Sequence, residues 1–330
     1  MKLLFICSGN SRFEVVPFIK EQADALSKLG LQIDFFPIKG KGLKGYLKAG
    51  FHLRKHLKKN HYGLIHAHFT LSGWTALIAS RKTPVVLSLM GTDAYGRYVG
   101  VNKVRLLSRF LTLSTWMIQP FVDAIISKSK NIEKYVYLKH KSYIIPNGVD
   151  IGKFKPLPVN NTKSNGSDNK KKVLFLGNKA EVRKNYPLAY RAVTALKLPD
   201  VELMNPYPTA HHEIPILLNK ADVLVVPSLM EGSPNVIKEA MACNCPIVAT
   251  DTGDVRWVFG ETEGCYISSF NKQEFTEKLR LAIRFSETKG RTNGYMRIKQ
   301  LGLDDRSVAE KVLEVYKKVL QKKAKKYPGV

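Results

Sequence analysis

The chain has 330 residues, 44% of them hydrophobic and 10% aromatic, which excludes wholesale disorder and leaves room for two domains of about 150 residues each. Its net charge is +26, from 53 Lys and Arg against 27 Asp and Glu, a field that favours anionic lipid, nucleic acid or a polyanionic substrate over a basic partner. No run of about 18 apolar residues occurs, no signal-peptide pattern opens the chain, and Cys7, Cys243, Cys245 and Cys265 lack zinc or disulfide spacing, so a cytoplasmic protein with reduced thiols is expected.

Strand and helix patterns alternate along the first half. An apolar strand over Lys2–Cys7 runs into a polar turn, Ser8–Arg12. Pro17–Leu29 sets Phe18, Ala25 and Leu26 among charged residues, as an amphipathic helix does, and Gly30 ends it. There follow a strand at Gln32–Phe36, a helix at Tyr46–Lys59, a strand at Leu64–His66, a small-residue helix at Ser72–Ser80 and a buried strand at Val85–Leu89. A helical region is predicted from Val101 to Phe110 and beyond, then a strand (Ala124–Ser127), a helix (Ile132–Tyr137) and a short strand (Tyr143–Ile145).

The pattern breaks over residues 151–172, rich in Pro, Asn, Ser and Lys, which read as a polar, basic linker. Alternation restarts with strands at Lys172–Leu176, Val201–Met204, Val223–Val226 and Pro246–Ala249, and helices around Pro187–Leu196, Glu213–Lys220 and Asn235–Met241. The expected fold class is α/β: two doubly wound domains, 1–150 and 173–330, each a parallel sheet covered on both faces, with a cleft between them. The last helix is expected to pack back on the first domain.

Glu231–Ala240, reading EGSPNVIKEA, follows the buried run Val223–Val226. Ser233 and Pro234 offer an N-cap and a first helical residue, so helix amides would open at the carboxyl end of a strand, where a phosphate binds readily. Glu231 and Glu239 would repel that phosphate. They suit the hydroxyls of a ligand with a diphosphate in its middle, such as a nucleotide sugar. The blander reading makes Glu239 a polar-face helix residue and Asn235 an ordinary early-helix residue.

In order and spacing these motifs resemble the retaining glycosyltransferases of family 4, which have the GT-B fold of two facing Rossmann-like domains. The resemblance rests on the E-x7-E pair Glu231 and Glu239, on His66-Ala67-His68-Phe69, on Ile145–Asp150 (IPNGVD) and on Asp251–Arg256 (DTGDVR). Within the family the chain is most similar to bacterial enzymes of surface and extracellular polysaccharide assembly, teichuronic-acid types among them.

The resemblance implies that Glu239 binds the ribose hydroxyls and Glu231 the transferred sugar near its reacting end. Gly232, Ser233, Pro234, Asn235 and Val236 would line the sugar and β-phosphate, with backbone donors from all of them but Pro234, which has no N–H. The family's basic pair falls on Lys184 and, at its first position, on the neutral Asn178; Arg183 is the candidate to supply the missing guanidinium, with Lys179 nearby. A cation there would stabilise the charge that grows on the leaving diphosphate. The plain alternative for Lys184 is a solvent-facing lysine at a helix start. A histidine that the family often carries after the strand Val85–Leu89 is replaced by Met90, while Asp93 could hold a sugar or acceptor hydroxyl, or cap its loop. Gly9 could admit a ligand and Arg12 offset phosphate charge. His66 and His68 are read as lying on opposite faces of their strand.

The implied reaction moves a sugar from a UDP- or GDP-sugar to a hydroxyl of a glycan or lipid-linked glycan, with retention. No D-x-D element occurs to hold a divalent ion, so neither metal nor cofactor is expected. Two other readings compete: a nucleotide-sugar-binding or assembly protein that has lost chemistry, motivated by Met90 and Asn178, and a nucleic-acid binder, suggested by charge but lacking a recognition motif. The acid-free basic segment Lys39–Lys59, with Phe51, Leu53 and Leu57 interspersed, suggests peripheral contact with anionic membrane at its inner face, and Lys317–Lys326 could add a second contact.

Overall fold

A computed structural model describes residues 1–40, 42–80, 82–158 and 170–326. Two compact units are present. The first contains β1 (Lys2–Ser8), α1 (Pro17–Lys28), β2 (Gln32–Ile38), α2 (Gly42–Lys59), β3 (Leu64–His68), α3 (Thr70–Ala79), β4 (Val85–Leu89) and α4 (Thr92–Tyr95). A hairpin, β5 (Tyr98–Gly100) and β6 (Lys103–Val104), interrupts it; α5 (Arg109–Ile118), β7 (Ala124–Ser127), α6 (Lys130–Glu133) and β8 (Ser142–Ile144) follow. Six strands form one parallel sheet in the order β2-β1-β3-β4-β7-β8.

The second unit contains β9 (Lys171–Leu174), α7 (Tyr186–Leu196), β10 (Val201–Met204), α8 (Ile214–Lys220), β11 (Val223–Val226), α9 (Asn235–Ala242), β12 (Ile247–Thr250), α10 (Val255–Phe259), β13 (Cys265–Ser268), α11 (Lys272–Thr288) and α12 (Gly294–Gln300). Its five strands are parallel, in the order β10-β9-β11-β12-β13. The central strands are buried because both faces are covered, and they are largely apolar: Leu3–Cys7 and Val85–Leu89 in the first sheet, Val223–Val226 and Ile247–Thr250 in the second, with Ser88, Thr250 and the β3 residues His66 and His68 as buried polar exceptions.

Both units depart from the contiguous domains the sequence suggests. The last helix, α13 (Asp305–Lys326), belongs to the first unit, as expected. Its stripe Val308, Val312, Val315, Tyr316 and Val319 joins Ile19, Ala23 and Leu26 of α1 and Leu3 and Phe5 of β1 in one core. The hairpin Tyr98–Val104 belongs instead to the second unit, where β5 packs on the turn Val182–Lys184. Residues Val101–Phe110 are therefore not one helix. Gly100 and Asn102, the latter at φ 55°, turn the chain, and a 3-10 turn at Leu106–Ser108 precedes α5.

The expected linker is also shorter than its composition suggests. Phe154 is buried in the core of the second unit, the amide of Leu157 donates to Asn219 Oδ1 at 2.9 Å, and Lys171 and Lys172 already belong to β9. Residues 159–169, the centre of that linker, lie outside the described residues.

On α2, Tyr46, Ala49, Gly50 and Leu53 turn inward. Gly50 allows close approach to α3, since a Cβ there would meet Ile78 Cγ2 at 2.9 Å. Leu53 therefore cannot meet a membrane and Leu57 is half-buried; Leu43, Leu47 and Phe51 are the exposed apolar residues of this helix. Cys7, Cys243 and Cys245 are buried free thiols and Cys265 is a partly exposed one. No helix among the described residues is long and apolar enough to cross a membrane.

Candidate active site

The loops after β9 and β11 build the centre of the site. After β9 the chain reaches the 3-10 turn Val182–Lys184, which stops at Asn185 in the left-handed conformation, φ 52°. Asn185 Nδ2 donates to the Pro227 carbonyl at 3.0 Å, and the amide of Leu229 donates to the Arg183 carbonyl at 2.8 Å. Thr250, at the end of β12, donates to the Ser228 carbonyl at 2.6 Å. Three strand ends are thus laced together at the carboxyl edge of the sheet, the usual binding edge of an open parallel sheet.

This lacing brings Arg183, Lys184 and Glu231 together. Arg183 Nη1 is 2.6 Å from Glu231 Oε2, and Lys184 Nζ is 2.8 Å from Oε1. Arg183 also pairs with Glu181 at 2.9 Å and donates to the Met230 carbonyl at 3.2 Å. Glu231 is buried. Burial alone would raise its pKa, but the charges of Lys184 and then Arg183 outweigh it and hold the carboxyl down at about 2.

Asn178, at the other candidate position, carries no charge, and its Oδ1 accepts from the Ala180 amide at 2.9 Å. Lys184 lies beside the neighbouring glycine, its Cγ 3.6 Å from where a Gly177 Cβ would stand.

Glu239 lies on α9 within hydrogen-bond reach of His211, Oε1 to Nε2 at 3.3 Å. Val236 packs on the apolar core beneath α9, whose first residue is Asn235. The expected N-cap is not formed. Pro234 takes the cap position and no side chain caps the helix. Ser233 Oγ instead donates to Asp254 Oδ2 at 2.6 Å and accepts from Lys238 Nζ at 2.8 Å. The side chain of Ser233 is thus engaged within the protein.

Sequence reasoning missed this buried Lys238–Ser233–Asp254 chain. Lys238, next to Glu239 on the helix, reads as a polar-face residue, yet it is fully buried, and burial lowers its pKa against the opposing pull of Asp254. No signal marked His211 either. Gly232 and Gly253 meet at the backbone: a Cβ on Gly253, at φ 67°, would stand 2.4 Å from the Gly232 carbonyl oxygen.

Gly9, Arg12 and Asp93 belong to the first unit. Gly9 continues β1, its amide donating to Ile38 at 2.9 Å, and a Cβ there would crowd Pro37. Arg12 is exposed beside the Phe13 ring. Asp93 is fully buried and serves the chain itself: Oδ2 accepts from the Thr70 amide at 2.9 Å and Oδ1 from the Met90 amide at 2.9 Å. A catalytic part for Asp93 is thereby replaced by the loop-capping one. Burial raises its pKa against these hydrogen bonds.

His66 and His68 share one face, rings stacked 4.2 Å apart, because residues two apart on a strand point the same way; the opposite-face reading is corrected. His66 bonds Tyr316 Oη at 2.6 Å and Ser88 Oγ at 2.8 Å, a packing role.

Known proteins resemble the chain in sequence and in fold. The model of Glycosyltransferase Family 4 matches residues 14–153, and that of Glycosyl transferases group 1 matches residues 165–284. The chain is 25% identical over 346 residues to the N,N'-diacetylbacillosaminyl-diphospho-undecaprenol alpha-1,3-N-acetylgalactosaminyltransferase of Campylobacter jejuni, covering 94% of this chain and 91% of that protein. It is 27% identical over 275 residues to the UDP-Gal:alpha-D-GlcNAc-diphosphoundecaprenol alpha-1,3-galactosyltransferase of Escherichia coli, covering 71% of this chain and 69% of that protein. In fold it matches the sucrose-phosphate synthase of Thermosynechococcus elongatus with a TM-score of 0.80 at 17% identity, over 97% of this chain and 99% of that one. With one family model on each half and a Rossmann-like parallel sheet under each, the chain is a glycosyltransferase and belongs to family 4, with the GT-B fold.

Proposed function

We propose that this glycosyltransferase moves a sugar from a nucleotide sugar, UDP- or GDP-linked, to a hydroxyl of a lipid-linked glycan in cell-surface polysaccharide assembly, with retention at the anomeric carbon. The observation that carries the proposal is the pairing of Arg183 and Lys184 on Glu231 at the carboxyl edge of the second sheet. Both cations are held in place before any ligand arrives, Lys184 by Glu231 and Arg183 by Glu231 and Glu181. As the sugar–phosphate bond breaks, charge grows on the leaving diphosphate, and preorganised cations stabilise it most at that moment. Arg183 takes the place of the guanidinium that the neutral Asn178 does not supply.

In a same-face reaction the acceptor hydroxyl gives its proton to the departing phosphate oxygen, so no protein base is required. Glu239 accepts hydrogen bonds from the ribose, and Glu231 from the transferred sugar. The backbone N–H groups of Gly232, Ser233, Asn235 and Val236 line the β-phosphate; Pro234 has none to give. The two cations and these amides neutralise the diphosphate, so the reaction needs no metal ion or other cofactor.

The acceptor class is supported by the two relatives, whose names both specify a diphospho-undecaprenol acceptor. Action on such an acceptor places the protein against the inner face of the cytoplasmic membrane as a peripheral binder, with no nucleic-acid partner.

The reading is tested with purified protein against UDP-, GDP-, dTDP- and ADP-sugars, scoring melting shift and sugar transfer in the presence of a chelator. Stabilisation by one donor class and chelator-resistant transfer to a short-chain diphosphate-linked sugar are expected. Binding without turnover of any donor would favour the reading of a catalytically impaired relative.

A further inference from the structure

We propose that the first unit docks on an anionic lipid bilayer by laying α5 and the turn before it into the headgroup–acyl boundary, with α2 as the electrostatic contact. This rests on the lipid-linked-acceptor reading and adds which surface enters the membrane.

The amphipathicity of α5 is inverted. Its buried side, taken with the turns that flank it, is mostly polar: Ser108, Thr115 and Gln119 face inward, and Ile118 is the one buried apolar side chain among them. Ser108 Oγ donates to the Arg105 carbonyl at 2.6 Å, Thr115 Oγ1 to the Asp93 carbonyl at 2.8 Å, and Gln119 Nε2 to the Tyr135 carbonyl at 2.9 Å. The outward side carries Leu106, Phe110, Leu113, Met117 and Phe121, spaced as one helical stripe and 49–73% exposed.

With Leu107 and Trp116 beside them, these side chains present apolar surface on the order of 800 Å², above the ~300–600 Å² of the largest patch on a typical soluble monomer. Ordinary surface helices do the reverse.

Charge selects the occupant. Between Asp34 and Asp123 the sequence holds fourteen Lys and Arg and one acidic residue, Asp93, which is buried. Helix α5 packs on α3, and α3 on α2, so the apolar stripe and the basic helix belong to one layer. Arg105 and Arg109 are exposed at the root of α5, and Lys44, Lys48, Lys55, Lys58 and Lys59 are exposed on α2 beside Leu43, Leu47 and Phe51. A second copy of the chain would oppose this basic surface to itself. An anionic bilayer offers negative headgroups around an apolar interior, and interfacial helices of this pattern sit about 5–10 Å deep.

The test uses the full chain with phosphatidylcholine vesicles, with and without one third phosphatidylglycerol. Trp116 is isolated as the reporter by Trp74→Phe and Trp257→Phe. Bound protein should show Trp116 quenched by lipids brominated on the acyl chain. Phe110→Asp with Met117→Asp should weaken co-sedimentation by about tenfold or more on anionic vesicles. Lys44→Glu, Lys48→Glu and Lys55→Glu together should remove the phosphatidylglycerol preference and its salt dependence.

An unquenched Trp116 on bound protein would overturn the proposal. So would unchanged co-sedimentation of the Asp double variant, or a solution dimer that this variant breaks. Transfer to a short-chain, water-soluble acceptor should be equal in the Asp double variant and the parent. Loss of that transfer in the parent itself would count against the glycosyltransferase reading and leave the vesicle result to stand alone.

Discussion

Arg183 Nη1 lies 2.6 Å from Glu231 Oε2, on the opposite carboxylate oxygen from the one that Lys184 takes. One buried anion thereby orients two cations that come from a turn on a different loop. Lys184→Ala should lower kcat by about 10²-fold, because that cation acts on charge that develops in the transition state. Arg183→Ala should cost about tenfold, and adding Asn178→Arg to it should recover part of the loss. Glu239→Ala should act mainly on KM, since ribose contacts are present in ground and transition states alike. Steady-state kinetics on folded variants checks all four.

Acid should find Glu231 late. Its folded pKa is about 2 against an ordinary 4.5, so its contribution is fully present above pH 4.5 and is lost as pH falls through 2. The span corresponds to roughly 3 kcal/mol in order of magnitude. Glu231→Gln should lower stability at neutral pH and flatten the fall in unfolding free energy across that window. Denaturant titrations at stepped pH measure it.

A second pH dependence has the opposite chemistry. Burial holds His66 and His68 well below the usual histidine range. The unfolded chain then binds more protons below pH 6.5, so stability should be full above that value and decline as pH falls from it. His68 has both ring nitrogens buried without a hydrogen-bond partner, while His66 uses both of its own. His68→Phe should therefore be near neutral at pH 8 and should reduce the acid slope. Tyr316→Phe should cost about 1–3 kcal/mol by stranding His66. Thermal melts between pH 5 and 8 separate the two.

Gly253→Ala tests the donor loop by sterics alone. The added methyl would stand 2.4 Å from the Gly232 carbonyl oxygen at a φ of 67°, so the loop carrying Glu231 must move. The variant should keep its circular dichroism and lose donor binding, as read by melting shift.

Much of this was legible because it follows from period and punctuation. The apolar runs of β1, β4, β11 and β12 and the Glu231–Ala240 segment are local signals, and local signals place strands and the helix after them. What escaped depends on long-range pairing. Nothing near Lys238 announces that Asp254 will meet it through Ser233, and nothing near His211 announces Glu239. Asp93 reads equally as a ligand group or a cap until the amides of Thr70 and Met90 are seen on it. In α5 the helix period is visible, but which side faces water is not, because apolar residues conventionally point inward.

The position of α13 reverses the order in which the two units can be completed during synthesis. The second unit lies wholly within residues 98–304, whereas the first needs Val312, Val315 and Tyr316 to close a core whose other walls are Leu3, Phe5 and Leu26. A nascent chain on the ribosome therefore carries an unfinished N-terminal sheet while the later-encoded unit is already able to fold. The half made first is finished last, and its apolar strands must be kept from other chains until the final helix emerges.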